Sequence, residues 1–400
     1  MRRMLLAVAL ILGLLAAAPP PTGAAAPDRS RGQQVRVFDY DLGDSAYHVA
    51  KFHGFDKHGM PTKSLAPLEL IGRVYAPAHS AGRRLPMVVM AHGLFWSCAD
   101  DATGRTTGDW PCRGRLEGIH SERGYDYLGR TLAARGMVVV SISANGVNAG
   151  ELGEIADRAR AALVYQHLRM WRALVERGTG PLAGAFTDAR TGRPAAPGFR
   201  RAIDLQDVGL LGHSRGGRGV MWAAADKHRD LVPDGVRFTA VFGLAAAGPP
   251  FMDKRARRVK VSRIPVMTWI GGCDATGDDS YNQLAQRGGD PVNIAITVHG
   301  ANHNNLNSRW SAHSGLPGGE DDAAHPVGRP GRCYDGFDDS ELQKTLGYRA
   351  EQRVASIYIN AFFARYLQGD RRYDDVLAGD RKPARKLTQV DVRHYRPARP

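Results

Sequence analysis

Short apolar runs recur along the 400-residue chain at 85–91, 137–143, 208–211, 238–244, 264–270 and 292–298, separated by amphipathic stretches. A run such as Leu85-Pro86-Met87-Val88-Val89-Met90-Ala91 has no polar face. It must be covered on both sides, which is the situation of a strand inside a parallel sheet. The stretches at 125–135, 155–175, 216–228, 280–286 and 352–367 carry apolar residues at helical spacing, the last reading as a closing helix. Strands alternating with helices predict an α/β fold: a mostly parallel, twisted sheet with helices on both faces and right-handed crossovers. Segments 35–40 and 68–75 alternate apolar and polar residues, as strands with one buried face do. Segments 179–201 and 308–339 are rich in Gly and Pro and read as long loops, and the basic, Pro-containing tail from Arg381 reads as loose.

Hydrophobic residues make up 43% and charged residues 24% of the chain, which excludes a disordered or collagen-like polymer. The formal charge of +14 raises the question of a polyanionic partner. Acidic residues are interleaved with the basic ones nearly everywhere. The densest run, Lys254-Arg255-Ala256-Arg257-Arg258-Val259-Lys260 with Arg263, has no aromatic residues interleaved to stack on bases. No nucleic-acid partner is expected, and the role of Lys254 to Arg263 stays open.

At the N-terminus, Arg2-Arg3 precedes an apolar run at 4–18 and then Pro19-Pro20-Pro21-Thr22-Gly23-Ala24-Ala25-Ala26. A charged start, a short apolar centre and small residues before a cut describe a secretory leader, residues 1–26. The run is shorter than the ~20 residues of a membrane span, so no stable membrane insertion is expected. The remaining chain divides into an N-terminal strand and loop region (27–64), a catalytic domain (65–370) and a basic tail (371–400). Export places Cys98, Cys112, Cys273 and Cys333 in an oxidising compartment. Four cysteines allow three pairings; the local one, Cys98–Cys112 with Cys273–Cys333, is favoured.

The chemistry is concentrated in Val208-Gly209-Leu210-Leu211-Gly212-His213-Ser214-Arg215-Gly216-Gly217. This is G-x-S-x-G directly after a buried run and directly before a helical one, the context in which a sharp turn exposes a serine as nucleophile. A serine hydroxyl needs a base, and the base needs an orienting acid. The run at 264–270 ends in Gly271-Gly272-Cys273-Asp274, which places Asp274 at a strand end, with Asp278 and Asp279 as alternatives. A solvated loop or weak Ca²⁺ site is the competing reading of those three carboxylates. The run at 292–298 ends in His299-Gly300-Ala301-Asn302-His303, making His303 the candidate base and His299 its competitor. An oxyanion is normally held by two backbone N–H groups. Arg215, after the serine, supplies one, and Leu94 of Ala91-His92-Gly93-Leu94-Phe95-Trp96 supplies the other, with Phe95 as fallback. Phe95, Trp96 and His213 are candidate pocket residues, and His92 reads as a packing residue.

These residues resemble the α/β-hydrolase superfamily, and within it secreted bacterial serine esterases of the cutinase-like, polyester-hydrolase and dienelactone-hydrolase-like branch. The resemblance covers roughly 65–370 and rests on His92-Gly93, Gly212-His213-Ser214-Arg215-Gly216-Gly217, Cys273-Asp274 and Gly300-Ala301-Asn302-His303. It implies Ser214 as nucleophile, Asp274 as acid, His303 as base, and Leu94 with Arg215 as oxyanion hole. It implies a small-molecule, lipid or polymer ester as substrate, with no metal and no cofactor. The Cys98–Cys112 loop, segment 179–201 and the stretch after His303 are longer than in minimal cutinase-like enzymes. A secreted, monomeric carboxylic-ester hydrolase is therefore expected. Acyl transfer and peptide hydrolysis use the same machinery, and a non-catalytic envelope-binding protein is the rival from another class.

Overall fold

The computed structural model describes residues 33–55, 60–79, 82–250, 254–274, 276–285, 292–316, 331–334 and 342–395. The leader expected at 1–26 lies outside the described residues, as do parts of the 308–339 loop.

The principal sheet contains β1 (Val35–Asp41), β2 (Ile71–Pro77), β3 (Leu85–Ala91), β4 (Val138–Ile142) and β5 (Phe186–Asp188). It continues with β6 (Ile203–His213), β7 (Phe238–Leu244), β8 (Val266–Gly271), β9 (Asn293–Val298) and β10 (Val390–His394). Their spatial order is β5-β1-β2-β4-β3-β6-β7-β8-β9-β10. From β4 through β9 every neighbouring pair is parallel, whereas β5, β1, β2 and β10 pair antiparallel at the two edges. The chain is thus an α/β protein with a large, mostly parallel sheet, as the apolar runs predict.

The pleat sends alternate side chains to opposite faces. Along β3, Met87, Val89 and Ala91 join one core, and Val88 and Met90 join the other. The first core is closed by α2 (Glu154–Arg177) and α3 (Arg215–Ala224), the second by α1 (Asp126–Ala133) and α4 (Tyr348–Gln368). Acidic Glu154 and Asp157 sit in the first turn of α2, and Gly178 ends it in the left-handed conformation (φ 72°). Both choices complement the helix ends.

Two segments differ from expectation. The 179–201 stretch is not all loop, since β5 pairs with β1 there. The tail is not all loose, since Val390–His394 pairs in register against β9 from Val298 to Ile294. An edge strand this short leaves little periodicity to read. Three small sheets, His53–Phe55 with Pro61–Leu65, Cys98–Asp100 between Arg105–Thr107 and Glu117–Gly118, and Arg332–Tyr334 with Leu342–Lys344, complete the strands among the described residues. Among the described residues no helix is long and apolar enough to cross a membrane.

Because β3, β4, β6, β8 and β9 are parallel, their carboxyl ends share one rim. The segments leaving that rim begin at His92, Ser143, Ser214, Gly272 and His299. In open α/β sheets this rim is where ligands bind.

Candidate active site

Every residue of β6 from Val208 to His213 is buried, and the chain turns into α3 at Ser214 with φ 56° and ψ −126°. A non-glycine residue at positive φ stores roughly 1–3 kcal/mol of strain and persists only where its surroundings enforce it. Here the enforcement is visible. The Ser214 amide donates to the Leu244 carbonyl at 3.0 Å, and the Ser214 carbonyl accepts from Gly217 at 2.9 Å and Ala247 at 3.2 Å. The flanking glycines are required by space. A Cβ on Gly212 would lie 2.3 Å from the Gly216 carbonyl oxygen, one on Gly216 2.2 Å from that of Ala91, and one on Gly217 2.4 Å from Ala246 Cβ.

Asp274 follows β8 and is fully buried. Its Oδ2 lies 2.9 Å from His303 Nδ1, and its Oδ1 accepts from the Thr276 amide at 2.7 Å. Burial pushes the Asp274 carboxyl up, but the His303 ring and the Thr276 and Gly277 amides outweigh it, so the group rests below the usual carboxylate range. The Cys273–Cys333 bridge ties this turn to strand Arg332–Tyr334. The Cys98–Cys112 bridge is also formed, so the local pairing is the one present.

The loop carrying His303 is fixed by the start of α4. The buried carboxylate of Glu351 accepts from the Asn302 amide at 2.9 Å, and Gln352 Nε2 donates to the Asn305 carbonyl at 2.9 Å. The His303 ring packs against that of His213, the neighbour of Ser214, with centroids 4.8 Å apart. Ser214, His303 and Asp274 are therefore gathered at one place on the rim. The competitors lie elsewhere. His299 bonds Asp391 at 2.7 Å on the sheet edge. Asp278 accepts from the Ser280 amide, and Asp279 pairs with Arg393 and Tyr395. No group of three or more His, Cys, Asp or Glu among the described residues is placed to hold a metal.

The loop after β3 presses on the serine. A Cβ on Gly93 would lie 2.5 Å from Ser214 Cβ, 2.7 Å from the His213 carbonyl oxygen and 3.0 Å from the Arg215 nitrogen. Leu94, Phe95 and Trp96 continue from it into the wall of a cleft of ≈ 1180 Å³. Phe55, Leu65 and Leu152, all left exposed, line the same cleft, as do Trp110 in the bridged loop and Asn304 beside His303. Trp310 stacks on Phe95 (5.2 Å between centroids) and on His213 (4.9 Å), joining cleft wall to site. His213 is not part of that wall. It is fully buried, 2.9 Å from Tyr125 Oη, and burial with the neighbouring His303 holds its pKa well below the ordinary value.

Sequence reasoning did not single out Glu69, Asn148, Arg160, Trp310 or Glu351. Asn145 and Asn148 carried a signal, since the two asparagines stand three and six residues after a strand buried on both faces. No protein-family model matches the chain, and no curated protein matches it.

Proposed function

We propose that the protein is a serine carboxylic-ester hydrolase built on an α/β-hydrolase architecture and exported from the cell. One observation carries the reading: a serine held at positive φ at a strand–helix junction, whose preceding residue His213 packs on a histidine with its Nδ1 facing a buried carboxylate. The two bridged cysteine pairs and the leader-like N-terminus support export.

The chemistry follows from the contacts. Asp274, held ionised, accepts Nδ1–H of His303 and so makes Nε2 the basic nitrogen. His303 takes the Ser214 proton as Oγ attacks the ester carbonyl carbon. The carbonyl oxygen becomes an oxyanion between the N–H groups of Leu94 and Arg215, with the first turn of α3 adding its dipole. The C–O bond to the alcohol breaks, and the alcohol leaves with the proton from His303. Water then attacks the acyl-enzyme by the same route, releasing the acid and restoring Ser214. Asp274 stabilises the imidazolium formed at each step.

The cleft gives the substrate its character. Its size exceeds the ~300–1,000 Å³ of an ordinary small-molecule pocket, and its exposed apolar lining suits a hydrophobic arm of the ester. The test is hydrolysis of p-nitrophenyl esters from acetate to palmitate by wild type and Ser214→Ala. Hydrolysis abolished by the substitution supports the reading. Wild-type protein that is folded and bridged yet inert on every ester contradicts it.

A further inference from the structure

Behind the loop of Gly93 lies a chain of buried polar groups that ends on one carbonyl. The Gly93 C=O accepts two hydrogen bonds, from His92 Nδ1 at 2.9 Å and from Asn148 Nδ2 at 3.0 Å. Both donor assignments are forced. His92 Nε2 faces the Ala144 backbone N–H at 2.8 Å and must accept, so a neutral ring carries its proton on Nδ1. Burial holds the His92 pKa down at about 4, which keeps the ring neutral. Asn148 Oδ1 accepts from Arg160 Nη2, a group that can only donate, so Nδ2 is what faces Gly93.

The surroundings hold this chain in place. Asn148 closes a single helical turn, Asn145–Asn148, whose leading amides are capped by Glu69. The fully buried Glu69 carboxylate accepts from the Asn145 and Gly146 amides at 2.5 and 2.9 Å and from the Ser143 hydroxyl at 2.6 Å. Arg160, on α2, is 2% exposed, and a Cβ on Gly219 of α3 would lie 2.5 Å from its Cβ. Burial lowers the guanidinium to about 10, which leaves it charged at neutral pH. Its charged neighbours are Asp157, Glu69, Arg215 and Arg218, and Asp157 is already engaged by Arg218 at 2.7 Å. A buried cation thus stands two hydrogen bonds from the Gly93 carbonyl.

In a trans peptide the C=O and the following N–H point in opposite directions. Fixing the Gly93 carbonyl from behind therefore fixes the direction of the Leu94 N–H. Pulling on that carbonyl also polarises the peptide, because hydrogen bonds in a chain strengthen one another. We propose that Arg160 and Asn148, with His92, form a positioning relay that aims and polarises the Leu94 amide for the developing oxyanion. The relay rests on the serine-hydrolase reading above. Asn148 reaches the edge of the cleft and Arg160 lies behind it, and both are assigned here to act through the Gly93 carbonyl, as positioning residues.

Asn148→Asp separates this role from a structural one. An aspartate at 148 keeps the shape and gains an ion pair with Arg160, and thermal unfolding in parallel reports that the fold is kept. It loses the donor to Gly93 and sets an anion against that carbonyl. Removing an oxyanion donor outright costs ~10²–10³-fold in kcat, so misaiming one is expected to cost about 10-fold or more with KM within twofold. The affinity of a trifluoromethyl ketone, which mimics the tetrahedral intermediate, falls by the same factor as kcat/KM. Asn148→Ala shows the same split with a smaller kcat loss, because it removes the donor without adding charge. A fluorophosphonate probe reporting on Ser214 runs alongside. Wild type labelled on Ser214, with Asn148→Asp retaining wild-type kcat and ketone affinity, overturns the relay alone. Wild type that is neither labelled nor active overturns the hydrolase reading, and the relay with it.

Discussion

Gly93→Ala adds one methyl group at the point where the β3 loop meets the serine. The new Cβ meets Ser214 Cβ at 2.5 Å, the His213 carbonyl oxygen at 2.7 Å and the Arg215 nitrogen at 3.0 Å. Carbon atoms rest at about 3.5–4.0 Å, so the loop must retreat by about 1 Å. None of the three atoms belongs to a flexible side-chain end that could swing aside. They belong to the junction that holds Ser214 at positive φ. Retreat carries the Leu94 amide away from the oxyanion position, and a 1 Å misplacement costs roughly 10²-fold. That corresponds to about 2.7 kcal/mol in the barrier, while overpacking destabilises the fold by about 1–3 kcal/mol. The assay is kcat and KM on p-nitrophenyl butyrate with thermal unfolding in parallel. Gly347→Ala serves as comparison, because a Cβ there meets nothing within 4 Å and its φ is −66°. The expectation is a ~10²-fold fall in kcat for Gly93→Ala, with KM little changed, and less than twofold change for Gly347→Ala. A folded Gly93→Ala protein with kcat within threefold of wild type refutes the placement of the oxyanion site beside Gly93.

Further expectations follow from the same contacts. Asp274→Asn keeps the shape but removes the ionised acceptor for His303, and kcat should fall about 10⁴-fold by steady-state assay. Because the Asp274 pKa is lowered on folding, it stabilises the protein above the unfolded carboxylate value of ~3.9, and that contribution fades as pH falls through the folded pKa. Urea unfolding below pH 4 should therefore be less pH-dependent in Asp274→Asn, and an unchanged slope would contradict this. His167, bonded to Tyr40, has its pKa lowered by burial to about 3. It stays neutral when folded yet binds a proton when unfolded below ~6.5, so stability falls with acidification from that pH. His167→Gln should flatten the decline by up to one proton, read from unfolding free energy against pH. Removing the Cys98–Cys112 bridge, which spans 14 residues, should cost about 3 kcal/mol in chemical denaturation. Trp96→Ala should lower kcat/KM for palmitate more than for acetate, since each buried methylene contributes ~0.8 kcal/mol.

The sheet was legible because its central strands are buried on both faces and leave unbroken apolar runs. Its edges were not. β5 is three residues long within a Gly/Pro-rich stretch, and β10 lies in a basic tail, so their pairing depends on partners far along the chain. Helix α4 starts at Tyr348, four residues before the apolar spacing begins, and that first turn carries the Glu351 carboxylate that fixes the His303 loop. Ser214, Asp274 and His303 could be singled out because each sits where an apolar run stops. The groups that hold the site could not. Glu69 lies 76 residues from the Asn145 amide it accepts from, Asn148 lies 55 from Gly93, and Glu351 lies 49 from Asn302. A buried polar residue of that kind shows its purpose only once the fold has brought its partner to it.

The central claim is that Ser214 is a nucleophile activated by His303 and Asp274. Its most direct test is intact-mass analysis of folded, bridged protein after exposure to a fluorophosphonate, with p-nitrophenyl ester hydrolysis followed in the same samples. The account predicts one adduct per chain on Ser214, hydrolysis lost in proportion to labelling, and neither adduct nor hydrolysis in Ser214→Ala. Hydrolysis that survives in Ser214→Ala, or wild-type protein that takes no adduct and cleaves no ester, would contradict it.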